Sequence, residues 1–279
     1  MREIDVNLIS EKISQMCIDI NHRLSPDMQA ALKDAYAGES ISTGKAVLSQ
    51  LIENMEIAER EMIPICQDTG MAVVWMQIGQ DVHFVNGDIN DAVNEGVRRG
   101  YREGYLRKSV VSDPLLRVNT NDNTPAVIHY DIVPGDQVRI LFTPKGFGSE
   151  NMSRVFMLKP ADGVEGVKAA VLQAVKDAGP NACPPLVVGV GIGGTFEKCA
   201  LMSKKALAET DKSGKPKHIL ELEEQILKEI NDLKIGPGGL GGDVTALVVN
   251  ILTYPTHIAG LPLAVNICCH VNRHIELTL

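Results

Sequence analysis

The sequence predicts an α+β fold: a helical N-terminal region packed on a mainly antiparallel β-sheet with further helices, in a single large domain over residues 1–279. Three observations lead there. Apolar residues recur at three- and four-residue spacing through most of the first sixty positions. Strand-like apolar runs between Met71 and Thr143 lack regular helical crossovers. Two of those runs, 126–132 and 137–143, are joined through Pro134-Gly135-Asp136, turn chemistry that predicts a hairpin.

In the first helical region, Ile13, Met16, Cys17 and Ile20 share one face, and Ser25-Pro26 starts a second helix. The next helix, 42–60, carries Val47, Leu48, Leu51, Ile52 and Met55 on one stripe, with Glu53, Glu56 and Glu59 interleaved. After a turn at 64–70, the run from Met71 to Ile78 reads as a buried strand and His83-Phe84-Val85 as another. A charged helix over 88–104 delivers Arg107 and Lys108, which read either as solvated cations at a helix exit or as an anion clamp. Residues 112–125, rich in Asn and Asp, form a structured loop before the two strands of the expected hairpin. Further helices are expected at 164–178, 196–207 and 219–233, and strands at 186–192 and 244–252.

Composition limits the function classes. Aromatics make up only 4% of 279 residues, so aliphatic side chains and Met must fill the core. With 27 Lys+Arg against 35 Asp+Glu, the net charge of -8 argues against a nucleic-acid surface and an anionic membrane surface. No apolar run approaches the roughly 18 residues of a membrane span, and the N-terminus lacks a signal-peptide core; a soluble, cytoplasmic protein is expected. The six cysteines are scattered and form no C-x-x-C pair, which suits a reducing compartment and speaks against a zinc ribbon.

Several stretches bear chemistry. Cys66-Gln67-Asp68-Thr69-Gly70 places a soft ligand, an amide and a carboxylate in one turn. Lys145-Gly146-Phe147-Gly148-Ser149 reads as a backbone-exposing loop suited to an anion, or as an ordinary turn. Cys183 precedes two prolines in a rigid segment, whereas Cys17 and Cys199 fall on helix faces and read as core. The run from Gly189 to Gly194 misses the register of the dinucleotide fingerprint. Gly236 to Gly242 is glycine-rich between ordered elements, so close backbone approach to a partner or ligand is expected. Adjacent Cys268 and Cys269 point in different directions on an extended backbone, and His257, His270 and His274 add groups that titrate near neutrality. Three cysteines outside the helices, Cys66, Cys183 and one of Cys268 or Cys269, could hold an iron-sulfur cluster and leave one iron without a protein ligand.

Five motifs in order, Cys66-Gln-Asp-Thr-Gly70, Lys145-Gly-Phe-Gly-Ser-Glu-Asn151, Cys183-Pro-Pro185, Gly191-Ile-Gly-Gly-Thr195 and Cys269-His-Val-Asn-Arg-His274, resemble the class I, iron-sulfur fumarate hydratases. The match is to the alpha subunit of the two-subunit type, shared with tartrate dehydratase, and runs from about Ile4 onward. The resemblance implies a 4Fe-4S cluster on Cys66, Cys183 and Cys269. It also implies a substrate pocket with Gln67, Arg107, Gly146 and Gly148, with Asp68 as acid/base and His257 supporting it. The implied reaction is reversible dehydration of a small dicarboxylate, first (S)-malate to fumarate as in the tricarboxylic acid cycle, alternatively L-tartrate or mesaconate chemistry. The base and further contacts would come from a beta subunit in an α2β2 heterotetramer. Outside this resemblance stand a zinc-binding scaffold or orphan subunit, and a Cys66 nucleophile beside His257.

Overall fold

A computed structural model describes residues 1–209 and 211–279. The first half of the chain forms β1 (Arg2–Asp5), α1 (Val6–His22), α2 (Pro26–Gly38), α3 (Ser42–Glu61), β2 (Met71–Gly79), β3 (Val82–Val85), α4 (Ile89–Glu103), β4 (Val127–Val133) and β5 (Val138–Lys145). The second half forms α5 (Phe147–Glu150), β6 (Arg154–Leu158), α6 (Gly163–Ala178), β7 (Leu186–Gly193), α7 (Phe196–Ala206), α8 (Lys217–Asn231), β8 (Ala246–Tyr254), β9 (Leu261–Cys268) and β10 (Ile275–Thr278). The α+β fold expected is the one observed. The chain divides into two compact units: unit 1 holds Met1–Ser25, Met55–Phe147 and Arg273–Leu279, and unit 2 holds Pro26–Asn54 and Gly148–Asn272.

In unit 1, the Asp5 carboxylate caps α1 by accepting the Asn7 N–H at 2.8 Å. The buried face of α1, with Ile9, Ile13, Met16, Cys17 and Ile20, packs on Val93, Val97 and Tyr101 of α4. Gly96 and Gly100 permit the crossing. A Cβ on Gly96 would stand 2.6 Å from the Ser10 carbonyl oxygen, and one on Gly100 2.6 Å from the Cys17 Cβ. This close crossing buries the Tyr101 side chain completely.

The sheet of unit 1 corrects the expected hairpin. Its order is β10-β5-β2-β4, so β4 and β5 lie on opposite sides of β2. β2 runs parallel to β4 and antiparallel to β5. The turn at Pro134-Gly135-Asp136 exists, but it passes around the end of β2, whose Gly79 N–H donates to the Gln137 carbonyl at 2.8 Å and whose following Gln80 N–H reaches Val133. The physical reason is the composition of β2: Ala72 to Met76 are all buried, so the strand belongs at the centre of a sheet with a neighbour on each edge. A helical crossover, α4, does connect the parallel pair.

Unit 2 has a sheet of order β6-β9-β7-β8, with β6 and β7 antiparallel to β9, and β7 parallel to β8. Along β9, Leu263, Val265 and Ile267 join the apolar core that includes Ile219, Leu222, Ile226 and Ile230 of α8 and several residues of α6, while Ala264 packs with Cys199 and Met202 of α7. Glycines 189 and 191 face α7: added Cβ atoms would come within 2.1 Å of the Ser203 and Cys199 carbonyl oxygens. The glycine run thus serves direct contact between helix and strand, which explains why it departs from a nucleotide fingerprint. The short edge strands β6 and β10 carried no sequence expectation.

The two sheets share one connectivity. In each, a central strand (β2 or β7) leads through helix to a parallel neighbour (β4 or β8), and the chain then returns antiparallel along the other edge of the central strand (β5 or β9). Consequently the start of the central strand lies beside the end of its antiparallel partner: Met71 opposite Lys145 in unit 1, and Val187 opposite Cys268 in unit 2.

Candidate functional site

That corner of unit 1 carries the Cys66-Gln67-Asp68-Thr69-Gly70 turn. The turn is fixed from below. The Ile65 N–H donates to the Asn21 carbonyl of α1 at 2.9 Å, and Arg273 donates to the Asn21 side-chain oxygen at 2.6 Å and the Asp68 carbonyl at 2.9 Å. The buried Tyr101 hydroxyl donates toward the Thr69 carbonyl at 2.7 Å, with the Gly70 carbonyl at 3.0 Å, and burial pushes its own ionisation up. Gly70 has φ of 77°, and a Cβ there would meet Lys145 and Pro144 backbone atoms at 2.8–2.9 Å. Thr69 and Gly70 are therefore buried anchors, while Cys66 and Asp68 are partly exposed and Gln67 is exposed.

Asp68 and Arg107 are both tied to this turn. The Asp68 carboxylate accepts the Gly70 N–H at 3.0 Å through Oδ1 and the Phe147 N–H at 2.9 Å through Oδ2. Gly146 is close by: a Cβ on it would stand 3.0 Å from Asp68 Oδ2. Arg107 follows the end of α4; its backbone N–H donates to Thr69 Oγ1 at 3.0 Å, and that hydroxyl donates to the Arg107 carbonyl at 3.1 Å. The Arg107 residue is exposed. Unit 1 thus brings together Cys66, Gln67, Asp68, Arg107 and Gly146. The Asp68 carboxylate and Cys66 thiol on this turn, with Arg107 anchored to it through its backbone, are groups that can bind an anion and move a proton.

The same corner of unit 2 carries Cys183 and Cys269. Cys183 is exposed, lies in the left-handed region with φ 53° and ψ 64°, and donates its N–H to the Pro180 carbonyl at 3.1 Å. Its own carbonyl is 3.2 Å from His270 Nδ1, which makes Nδ1 the donor. Burial lowers the His270 proton affinity, and this hydrogen bond opposes the fall. Cys269 is partly exposed at the end of β9, whereas Cys268 is buried, so the adjacent pair does split between two directions. His257 is exposed on the loop between β8 and β9, where its Nδ1 accepts the Ala259 N–H at 3.2 Å and leaves Nε2 as the protonated nitrogen of the neutral ring. Gly148 is exposed, and the nearest atom to a Cβ there is the Asn181 oxygen at 4.0 Å, so packing does not demand a glycine.

The six cysteines sort by accessibility. Cys17, Cys199 and Cys268 are buried; Cys66, Cys183 and Cys269 are not. Burial pushes the Cys17 and Cys199 thiols up, which keeps them protonated. The three accessible thiols stand on turns or at a strand end, each beside the start of a central strand or the end of its partner. As soft donors on rigid backbone they fit the ligand chemistry of an iron-sulfur group. Among the described residues no three His, Cys, Asp or Glu side chains gather as a site for a single metal ion. No histidine hydrogen-bonds to the Cys66 thiol within unit 1, again among the described residues, and His257 belongs to unit 2.

Sequence reading did not assign roles to Tyr101, Asn123, Arg273 or His270. Asn123 donates to the Gly70 carbonyl at 3.1 Å and accepts the Ser109 N–H at 2.7 Å. Arg273 and His270 lie within the terminal motif Cys269–His274. Nothing local marks Tyr101 or Asn123, whose roles arise only once α4 and the 119–125 loop fold over the turn.

Comparison with known proteins places the chain among the hydro-lyases. Residues 10–278 match the Fumarate hydratase (Fumerase) family, and the chain belongs to it. More particularly, it is similar to the alpha subunits of tartrate dehydratases. A protein of Methanocaldococcus jannaschii, provisionally named L(+)-tartrate dehydratase subunit alpha, is 40% identical over 273 residues, covering 94% of this chain and 95% of the relative. The L(+)-tartrate dehydratase subunit alpha of Escherichia coli K12 is 30% identical over 284 residues, covering 98% and 93%. Among the described residues no helix is long and apolar enough to cross a membrane.

Proposed function

We propose that this chain is the alpha subunit of a two-subunit hydro-lyase that removes water from a 2-hydroxy dicarboxylic acid, and that the acid is L(+)-tartrate. The observation that carries the reading is similarity along nearly the whole chain to relatives named for tartrate. It favours tartrate over the malate-to-fumarate reaction that the sequence placed first. The name "subunit alpha" of those relatives supports a beta subunit as partner, in an α2β2 heterotetramer.

Cys66, Cys183 and Cys269 would hold a 4Fe-4S cluster, which supplies Lewis-acid polarisation of a substrate hydroxyl. The chain's own residues bind and orient. The Arg107 guanidinium pairs with one substrate carboxylate, held in place because its backbone is locked to Thr69. Gln67 offers an amide to the remaining polar groups, and the Gly146–Gly148 backbone shapes the floor. Asp68 keeps a lone pair on each oxygen beyond its two N–H contacts and is the acid/base nearest the departing hydroxyl, with His257 supporting it. Overall, a C–H proton and a hydroxide leave as water while a carbon–carbon double bond forms. With tartrate the product is an enol, which ketonises.

Co-expression with the beta subunit, anaerobic purification and assay with L(+)-tartrate, D(-)-tartrate and malate test the proposal. Turnover of L(+)-tartrate at a kcat/KM well above malate is expected. Preference for malate would overturn the substrate, and protein devoid of iron and sulfide after anaerobic reconstitution would overturn the cluster.

A further inference from the structure

We propose that Glu39, which follows helix α2, is a positioning residue for Cys183; the inference rests on the cluster reading above and extends it to a residue outside the family motifs. Glu39 is only 2% exposed. Its carboxylate accepts the Ile41 N–H at 2.9 Å, the Asp243 N–H at 2.8–2.9 Å through both oxygens, and the Val244 N–H at 3.1 Å. A buried carboxylate is costly unless donors converge on it, and here they are three backbone N–H groups, two of them at the end of the glycine-rich loop. The same end is tied a second time, since Asp243 accepts from Ser40 and from Lys234.

The loop thus clamped, Gly236–Gly242, reaches the Cys183 turn. The Gly238 N–H donates to the Pro184 carbonyl at 2.8 Å, and Gly239 lies so close to Pro180 that an added Cβ would stand 2.4 Å from the proline Cβ. Pro180 and Pro184 bracket Cys183, whose N–H is bound to Pro180. On its other side the Cys183 carbonyl meets His270. A residue in a left-handed conformation keeps it only where its surroundings over-determine it. The Glu39 carboxylate supplies one side of that constraint through the glycine loop. The glycines, expected from sequence to approach a partner or ligand, instead pack closely against Glu39 and the cysteine turn of the same chain.

Glu39→Gln replaces one acceptor oxygen with a donor that faces the same N–H groups. Hydrogen exchange of the metal-free full chain, read by mass spectrometry, is expected to rise about tenfold, equivalent to about 1.4 kcal/mol, in Gly236–Val244 and also in Asn181–Cys183, with β9 unchanged. In the reconstituted complex with the beta subunit, the variant should lose iron to a chelator faster and give an altered cluster EPR spectrum. Glu39→Asp withdraws the charge by one methylene, gives the same order of effects to a smaller degree, and serves if the Gln variant does not fold. Faster exchange confined to the glycine loop, or spread to β9 in the folded variant, overturns the proposal. Wild-type protein without iron and sulfide would overturn the cluster reading while the exchange result still decides the coupling.

Discussion

Tyr101→Phe tests whether the Cys66–Gly70 turn is held from below. The ring is fully buried, and the hydroxyl donates to the Thr69 carbonyl of a residue 1% exposed. Removing the oxygen leaves that carbonyl without this donor, while Gly70 keeps its bond from Asn123. No methylene is lost, so the cavity contribution is small; an unpaired buried carbonyl costs about 1–3 kcal/mol, and about 2 kcal/mol raises the unfolding constant roughly thirtyfold. Trp75 is the sole tryptophan and lies in β2 of unit 1, so its fluorescence follows the unit in question. With a urea dependence of about 2 kcal/mol per molar, the midpoint should fall by about 1 M. Tyr130→Phe is the control: its hydroxyl bonds to the Asn90 side-chain oxygen at the surface, and its loss should cost under about 0.5 kcal/mol. Equal midpoints for the two variants would refute the reasoning.

Three further outcomes are expected. Iodoacetamide labelling of the native metal-free chain should modify Cys66, Cys183 and Cys269 well before Cys17, Cys199 and Cys268, and Cys268 labelling as fast as Cys269 would contradict the assignment at the end of β9. Burial raises the Asp122 pKa, but hydrogen bonds from Arg98, Thr124 and Thr120 outweigh it and hold the value at about 2. Because its unfolded value is about 3.9, the stabilisation from Asp122 is complete above that pH and lost as pH falls toward 2; urea midpoints of wild type and Asp122→Asn should converge over that window, and parallel profiles would exclude the effect. Gly146→Ala should push on Asp68 and lower kcat/KM of the complex by up to about a hundredfold, whereas Gly148→Ala, with room for its methyl group, should stay near wild type; the reverse order would remove Gly146 from the site.

Local pattern made the helices legible. The stripes on α1, α3 and α6 to α8 each bury one face, and both helix-borne cysteines are core as their periodicity implied. The hairpin failed because a turn signal fixes where the chain bends, not which strand occupies the place beside it; β2, earlier in sequence, claimed that place by burial. β6 and β10 are five and four residues long, too short to give a distinct period. At the site, the motifs marked Cys66, Cys183 and Cys269, but the hydrogen bonds from Tyr101, Asn123 and Arg273 that immobilise the first turn join residues remote in sequence. The glycines at 96 and 100 that bring Tyr101 to its place were hidden inside a helix conspicuous only for its charge.

β10 pairs antiparallel with β5, Ile275 opposite Phe142 and Thr278 opposite Arg139, with Arg139 and Glu276 joined by an ion pair. Between those strands the ribosome must make Gly148–Asn272, the larger segment of unit 2. Until then β5, the second-last strand of the unit 1 sheet, has an open edge in the nascent chain. The order of synthesis thus leaves a vulnerable edge in the earlier-made sheet. The Cys66 corner lies where the start of β2 meets the end of β5, and Arg273, which holds its turn, is made only after that interval.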